Sequence, residues 1–592
     1  PPQALLSRLS RRFEVLTGGA VTLPIRQQTL RNTLKWSYDL LDANEQQFFR
    51  RLTVFSGGWT LEAAEALGNA NHETQDDLSV LDGMASLIDN SLVKPLEREE
   101  TEQRFHMLMT VREYGLECLR ESGEEDLIRR AHADYYLALV EEAEPHLKGE
   151  QQLLWLRRLD REQENLRAAL AWLITHEEGE KALRFCVALW RFWQTAGYSG
   201  EGRRWLKAVL AMAGADERKT LRARALCANG ELACIQGDWQ EAYLLLSESV
   251  ALFRKMDDDY GLVLPLATLG WLLLRQGDPA AAVPLLEESI ALSRNLDREW
   301  ELARALIWVG YAKWLQGDLE KTIALVQEGL SLARELGDRT LIARALNAAG
   351  YTMWNQGDLD QGTALTQGGL TLARELGDKT LILSTLETLG SILLSKGDLD
   401  GAIACFTEGL SVAQELGNET LVAWHLRGLA RVAVVRMQLK LAVRLFGAAA
   451  VRYDINIELS PDLREDYVRM VENVRAKLGE QAFAAAWAEG RKMTLEQILA
   501  APEPQSTPGL IPTESHLSSV VETRSEPSYD KLTVRELEVL RLVARGWTDA
   551  QIAEQLVISR RTVNAHLTSI YSKIHVSSRS AATRYAIDRK LV

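Results

Sequence analysis

Arg561, Asn564, Ala565 and Thr568, close to the end of the 592-residue chain, are spaced to share one side of a helix. Projected at about 100° per residue, Val563, Leu567, Ile570 and Ile574 fall within about 60° of one another and form an apolar face. The opposite side presents Arg561, Ala565, Thr568 and Ser572, with Asn564 and Ser569 flanking. A face that is small, polar or cationic suits insertion between the walls of a DNA major groove. There an asparagine can pair bidentately with adenine, and Ala and Thr can touch a thymine methyl. Arg560, Arg561, Lys573 and Arg579 surround this face and would neutralise phosphates, and the free N–H groups at the helix start favour an anion too. Each phosphate neutralised adds about −0.9 to the log–log salt slope of binding.

Short helices must hold that face. Thr533 reads as an N-cap with Glu536 three residues later, a capping box that starts a first helix. Leu537, Leu540 and Val543 or Ala544 make its buried stripe, and Gly546 ends it. Thr548 caps a second helix carrying Ile552, Ala553 and Leu556. The break Val557-Ile558 leads to Ser559, which caps the third helix, running to about Ile574; a fourth spans 578–590. From Lys531 onward there are eleven Lys and Arg against five Asp and Glu, a balance of +6 on a chain of net −14, so everything upstream carries −20. A basic module tethered to an acidic body can hold a polyphosphate that the body repels.

The motifs T-x-R-E-x-E-V-L (Thr533–Leu540), G-x-T (Gly546–Thr548), IA-x-x-L (Ile552–Leu556), IS-x-x-TV-x-x-H (Ile558–His566) and K-I-x-V-x-S-R (Lys573–Arg579) resemble the LuxR-type helix-turn-helix across the whole module. The resemblance implies base contacts at Asn564, Ala565 and Thr568, beside Arg561 from the projection. It implies support of the DNA backbone at Thr562, Lys573 and Arg579; Thr548 and Arg560 are placed with these phosphate contacts. Asn564 stands where lysine is common in that family, so sequence preference does not carry over from relatives. Asp549 stands where asparagine is usual and works against a nearby phosphate contact. His566 is expected to pack or to touch phosphate, not to catalyse.

Upstream, Gly-Asp recurs at Gly237, Gly277, Gly317, Gly357 and Gly397, a strict spacing of 40, and a second glycine keeps the period at Gly230, Gly270, Gly310, Gly350 and Gly390. The phrase Glu-Leu-Gly-Asp/Asn returns at 335–338, 375–378 and 415–418. One unit reads as a helix over roughly 300–316, a turn at Gly317-Asp318 and a helix over about 319–336. The earlier glycine allows close helix approach, and Gly-Asp makes the corner. A hairpin alone cannot bury its apolar stripe, so about seven hairpins must stack into a superhelix. This resembles the tetratricopeptide repeat in a 40-residue form. First helices of such repeats line the concave surface. The stripe that varies between units, Trp300, Arg304, Trp308 and Tyr311, then Arg344, Asn347 and Tyr351, is therefore the candidate effector face. The alternative is that its tryptophans only fill gaps between helices.

Helices at about 25–41, 43–54, 60–68 and 76–89 precede two strand-like runs, Ser91–Leu96 and Arg104–Leu108, joined by a charged turn, with a helix resuming near Thr110. That order suggests a winged helix. Its last helix carries Asp77, Asp82 and Asp89 without Lys or Arg and would repel phosphate, so a structural role is expected. The segments 23–67 and 104–119 resemble the region behind the nucleotide-binding core of bacterial NB-ARC/STAND signalling ATPases. The ATPase of that family would lie N-terminal. No GxxxxGK(S/T) loop occurs in the chain, and Met107-Leu108-Met109 stands where some relatives carry a Met-His-Asp sensor, so no ATP hydrolysis is expected. The chain begins Pro1-Pro2 and is expected to be part of a longer protein, which could be an ATPase.

Five scattered cysteines without a CxxC pair indicate a reduced, cytoplasmic protein, and Cys227 and Cys234 read as core filler. The longest apolar run, Leu262 to Leu274, contains Pro265 and is too short to span a bilayer. No metal cluster and no HExxH or GxSxG motif is present. The expected architecture is predominantly all-α: an NB-ARC-like end plus winged helix over 1–121, a helical connector over 122–180, 40-residue repeats over 181–455, a helical cap over 456–500, a proline-rich linker over 501–529 and the four-helix module over 530–592. The expected function is a DNA-binding transcription regulator, dimeric on promoter DNA, whose array senses an effector or partner, with no membrane and no cofactor in this chain; ATP enters only with an upstream NTPase domain. The second reading is a repeat scaffold or signalling adaptor whose terminal module is dispensable.

Overall fold

The computed structural model describes residues 30–68, 80–96, 103–212, 218–452, 461–494 and 496–497, and, towards the C terminus, 534–545, 547–555, 563, 567, 570, 576 and 579–588. The chain divides into two compact units, Pro1–Pro502 and Glu503–Val592.

The first unit opens with helices Leu30–Asp39, Ala43–Leu52, Leu61–Gly68, Val80–Asp89 and Met109–Ser122 around a small sheet. Asp42 caps the second of these in a capping box, accepting from the backbone N–H groups of Asn44 and Glu45 while Glu45 returns a bond to the backbone of Asp42. The sheet has the order β1 (Gly58–Thr60), β3 (Arg104–His106), β2 (Lys94–Pro95), all antiparallel, with Trp59 opposite Phe105. The sequence suggested only the β2–β3 hairpin. β1 is three residues long, too short to show alternation, and forms because Trp59 is buried and stacks on Phe55 at 5.3 Å.

Helices Glu125–His146, Gln152–Arg161 and Gln163–Thr175 follow, fused to this region through polar bonds. The buried Glu162 carboxylate pairs with Arg104 of β3 and accepts from the Tyr136 hydroxyl and the Asn165 amide, both at 2.8 Å. Asn165 also donates to the Gly58 carbonyl (2.8 Å) and accepts from the Ser56 N–H (2.7 Å).

The array runs from helix Gly179–Thr195 to helix Leu439–Arg452. Its best-marked unit is helix Glu299–Leu315, a corner at Gly317 and helix Leu319–Glu335, with Gly317 at φ 77°. Asp318 then accepts from the N–H of Lys321 and starts the second helix, as Asp278, Asp358 and Asp398 do one unit away or more. At Gly350 an added Cβ would lie 2.2 Å from Thr366 Oγ1 and 2.9 Å from the Gly362 carbonyl oxygen, so only glycine lets these helices approach. Successive superhelical turns also touch. Gln152 donates to Thr340 Oγ1 at 2.8 Å across 188 residues, and Asn418 donates to the Ile235 carbonyl at 2.8 Å across 183 residues. The second separation lies between four and five 40-residue repeats, so the array winds back onto itself within that length. Helices Pro461–Leu478 and Glu480–Gly490 pack after the last repeat helix, where Gly447 lies against the Trp487 carbonyl.

The second unit contains helices Val534–Ala544, Asp549–Gln555 and Arg579–Asp588, with Val563, Leu567 and Ile570 in helical conformation between the last two. Val539, Leu540, Val543, Ile552, Val563, Leu567, Ile570, Ala582 and Ala586 form its core. Val539 belongs to that core although the expected stripe of the first helix omitted it.

Candidate nucleic-acid interface and inner wall of the array

Val563, Leu567 and Ile570 are buried, so their helix turns its apolar side inward as the projection requires. The residues expected to read bases, Arg561, Asn564, Ala565 and Thr568, and the expected phosphate contacts Arg560, Thr562 and Lys573, lie outside the described residues, as do Gly546, Leu556 and Ile574. Two expected phosphate contacts are described. Thr548 is exposed and caps helix Asp549–Gln555: its N–H donates to Gln551 Oε1 (2.9 Å), and its hydroxyl oxygen accepts from the Gln551 N–H (3.4 Å). Arg579, at the start of the last helix, pairs with Asp549 at 2.5 Å and donates to the Trp547 carbonyl. Its guanidinium is thus partly engaged within the module.

The first half of the array's variable stripe is closed. Trp300, Arg304 and Trp308 are only 5–6% exposed. Arg304 pairs with Glu231 and also donates to Thr268 Oγ1 at 3.1 Å, and its guanidinium stacks over Trp308 at 4.2 Å. The Trp300 indole N–H donates to Asp338 at 2.7 Å, and Asp338 also takes Arg191 at 3.3 Å. These three residues therefore hold the wall together, which corrects their expected place on an open effector face. Tyr311, Arg344, Asn347 and Tyr351 remain half-buried.

Sequence reasoning missed a latch beside them. Lys148, just before helix Gln152–Arg161, reaches Glu301 at 3.0 Å, and its ammonium lies 4.4 Å from the Trp300 ring. Burial raises the Glu301 carboxyl pKa, but Lys148 and Arg298 outweigh it and bring the group down to about 2. No local spacing could reveal a partner 153 residues away.

The family model for bacterial regulatory proteins of the LuxR family matches residues 530–586. The terminal module is a LuxR-family helix-turn-helix domain. The winged helix-turn-helix model matches 41–120, and tetratricopeptide repeat models match 221–295 and 383–416. A Mycobacterium tuberculosis protein named "Putative HTH-type transcriptional regulator" is 34% identical over 280 residues, covering 45% of this chain and 31% of that protein. The transcriptional regulatory protein LiaR of Bacillus subtilis is 47% identical over 64 residues, covering 11% of this chain and 30% of LiaR. The match thus spans about a third of the length of these relatives. Among solved structures, a STAND protein with a tetratricopeptide repeat sensor from Pyrococcus horikoshii is similar at a TM-score of 0.45 and 14% identity, covering 82% of this chain and 67% of that one.

Within the LuxR module, the Asp549–Arg579 pair joins the second helix to the last. Among the described residues no group of three or more His, Cys, Asp or Glu could hold a metal ion, and no helix is long and apolar enough to cross a membrane.

Proposed function

We propose that the chain is a transcription regulator: its LuxR module binds double-stranded promoter DNA, and its repeat array receives an effector or protein partner that governs this binding. The observation that carries the reading is the LuxR family match over a module whose described core residues Val563, Leu567 and Ile570 face inward. That leaves Arg561, Asn564, Ala565 and Thr568 for the major groove, and Arg560, Thr562, Lys573, Arg579 and Thr548 for phosphate. The module's positive balance supplies the phosphate term, while the acidic body is repelled by DNA. Two modules brought together on DNA gain from effective concentration even if each binds weakly. The protein works in the cytoplasm and needs no cofactor of its own; ATP belongs to this scheme only through an upstream nucleotide-binding domain.

A mobility-shift series on fragments selected from genomic DNA tests the base-reading assignment. Replacing both Asn564 and Thr568 by alanine should weaken specific binding by about 1–3 kcal/mol per good base contact while sparing non-specific binding. Unchanged affinity for the selected site would remove these residues from the reading face. The scaffold reading instead requires that the intact chain retain no sequence-specific fragment at all.

A further inference from the structure

Along the inner wall, from helix Gly179–Thr195 to helix Glu299–Leu315, Arg191 and Arg304 each meet a carboxylate, Asp338 and Glu231 respectively. On the next first helix, Arg339–Asn355, this stops. Arg344 stands one 40-residue repeat after Arg304, yet its guanidinium makes no hydrogen bond or ion pair with any described residue. The acids around it are engaged elsewhere: Glu231 with Arg304, Asp338 with Arg191 and Trp300, and Asp378 with the backbone N–H groups of Thr380 and Leu381 at 3.0 Å. Burial lowers the Arg344 pKa, so the group sits deep among protein atoms; it nevertheless keeps accessible surface, so open space adjoins it.

The neighbours on that face share the pattern. Asn347 Oδ1 is buried and has no donor. Tyr351 lies within about 60° of both residues around the helix. Its ring stands edge-on to Trp314 at 4.8 Å and to Trp354 at 5.3 Å, an aromatic cluster two helical turns along from the unpaired cation. One repeat further, the Glu387 carboxylate lies within the field of Arg431, Arg427 and Arg275. A buried guanidinium without a carboxylate carries a desolvation cost that an anion would offset.

We propose that Arg344, Asn347 and Tyr351 form a binding site for a small organic oxyanion, a carboxylate or phosphate monoester carried on a flat apolar group. The planar fork of Arg344 takes two oxygens of the acid group, the Asn347 carbonyl accepts a donor from the ligand, and the apolar part lies against Tyr351. This deepens the reading that the array receives an effector, and rests on it for its regulatory meaning.

The test uses the intact chain at constant ionic strength, with phenyl phosphate and phenylacetate as probes and benzyl alcohol as the uncharged control. Melting temperature and tryptophan fluorescence are followed. At least one anion should give a saturable rise in melting temperature and a fluorescence change, with no response to benzyl alcohol; the anion acting at lower concentration identifies the acid group. Arg344→Met should raise the melting temperature of the unliganded chain and weaken the anion response at least tenfold. Arg344→Lys should keep part of it, and Arg374→Met, at an exposed pair with Glu408, should leave it unchanged. The site is overturned if neither anion gives a saturable response, if Arg344→Met responds as the parent does, or if Arg344→Met lowers the unliganded melting temperature. If the anion binds through Arg344 but leaves retention of genomic DNA fragments unaltered, the site stands and the sensor reading falls.

Discussion

In the repeat array Arg304, Glu231, Arg191 and Asp338 lie inside, whereas in the terminal module the described core is apolar and Arg541, Arg545 and Arg584 lie outside. The two regions therefore use charge oppositely. An interior charge that finds its partner inside the protein ties together segments far apart in sequence. An exterior charge is screened and free to meet another polyelectrolyte, so it contributes to binding and little to folding. That difference fits the proposed roles of a receiving array and a module that meets DNA.

The largest effect should come from breaking an interior pair. Glu231→Gln leaves the Arg304 guanidinium, 5% exposed, without its carboxylate. The loss should be about 3–5 kcal/mol, read from urea unfolding of the intact chain. A loss below about 0.5 kcal/mol would mean that the wall does not depend on its charges. In the module the comparable weakness is apolar: Leu567→Ala should cost about 2–5 kcal/mol through the cavity it leaves in a small core. Calorimetry should then show the module transition lowered and the body transition unmoved.

The corners of the repeats were legible in the sequence, and the inner wall was not. Gly317-Asp318 announced its turn because a positive φ calls for glycine and a helix start calls for aspartate, both local demands. The projection of Val563, Leu567 and Ile570 was legible for a similar reason, since one helix turn sets it. The variable residues Trp300 and Arg304 looked like an open face because their partners come from elsewhere. Glu231 lies 73 residues before Arg304, and Asp338 lies 38 residues after Trp300. Superhelical pitch decides such meetings, and no short motif encodes it. β1 escaped notice because three residues show no period.

A third prediction concerns pH, where the body should be the sensitive partner. His132 is buried against Phe55 and Tyr136, and burial lowers its pKa to about 3. The folded body therefore holds this imidazole neutral while the unfolded chain protonates it near pH 6.5. That contribution to stability is fully present above about pH 6.5 and is lost as pH falls towards 3, at about 1.4 kcal/mol per pH unit within the window. In His132→Phe the acid-side slope of body stability should flatten. A slope equal to the parent's would assign acid sensitivity to other groups.

The smallest expected effect lies on the module surface and tests whether its charges are as available as the comparison supposes. Arg579 is held by Asp549 and the Trp547 carbonyl, so part of its charge is already answered within the module. Both side chains are about one-third exposed, at 38% and 34%, so their pair contributes about 0–1 kcal/mol to stability. Asp549→Asn removes a negative charge beside the proposed phosphate contacts and keeps a side chain that can still accept from Arg579. If Arg579 then meets phosphate, the log–log salt slope of DNA binding should steepen by about 0.9, with module stability changed by less than about 1 kcal/mol. An unchanged slope together with a clear loss of module stability in Arg579→Ala would make Arg579 a staple between helices. The phosphate term would then rest on Arg560, Arg561 and Lys573.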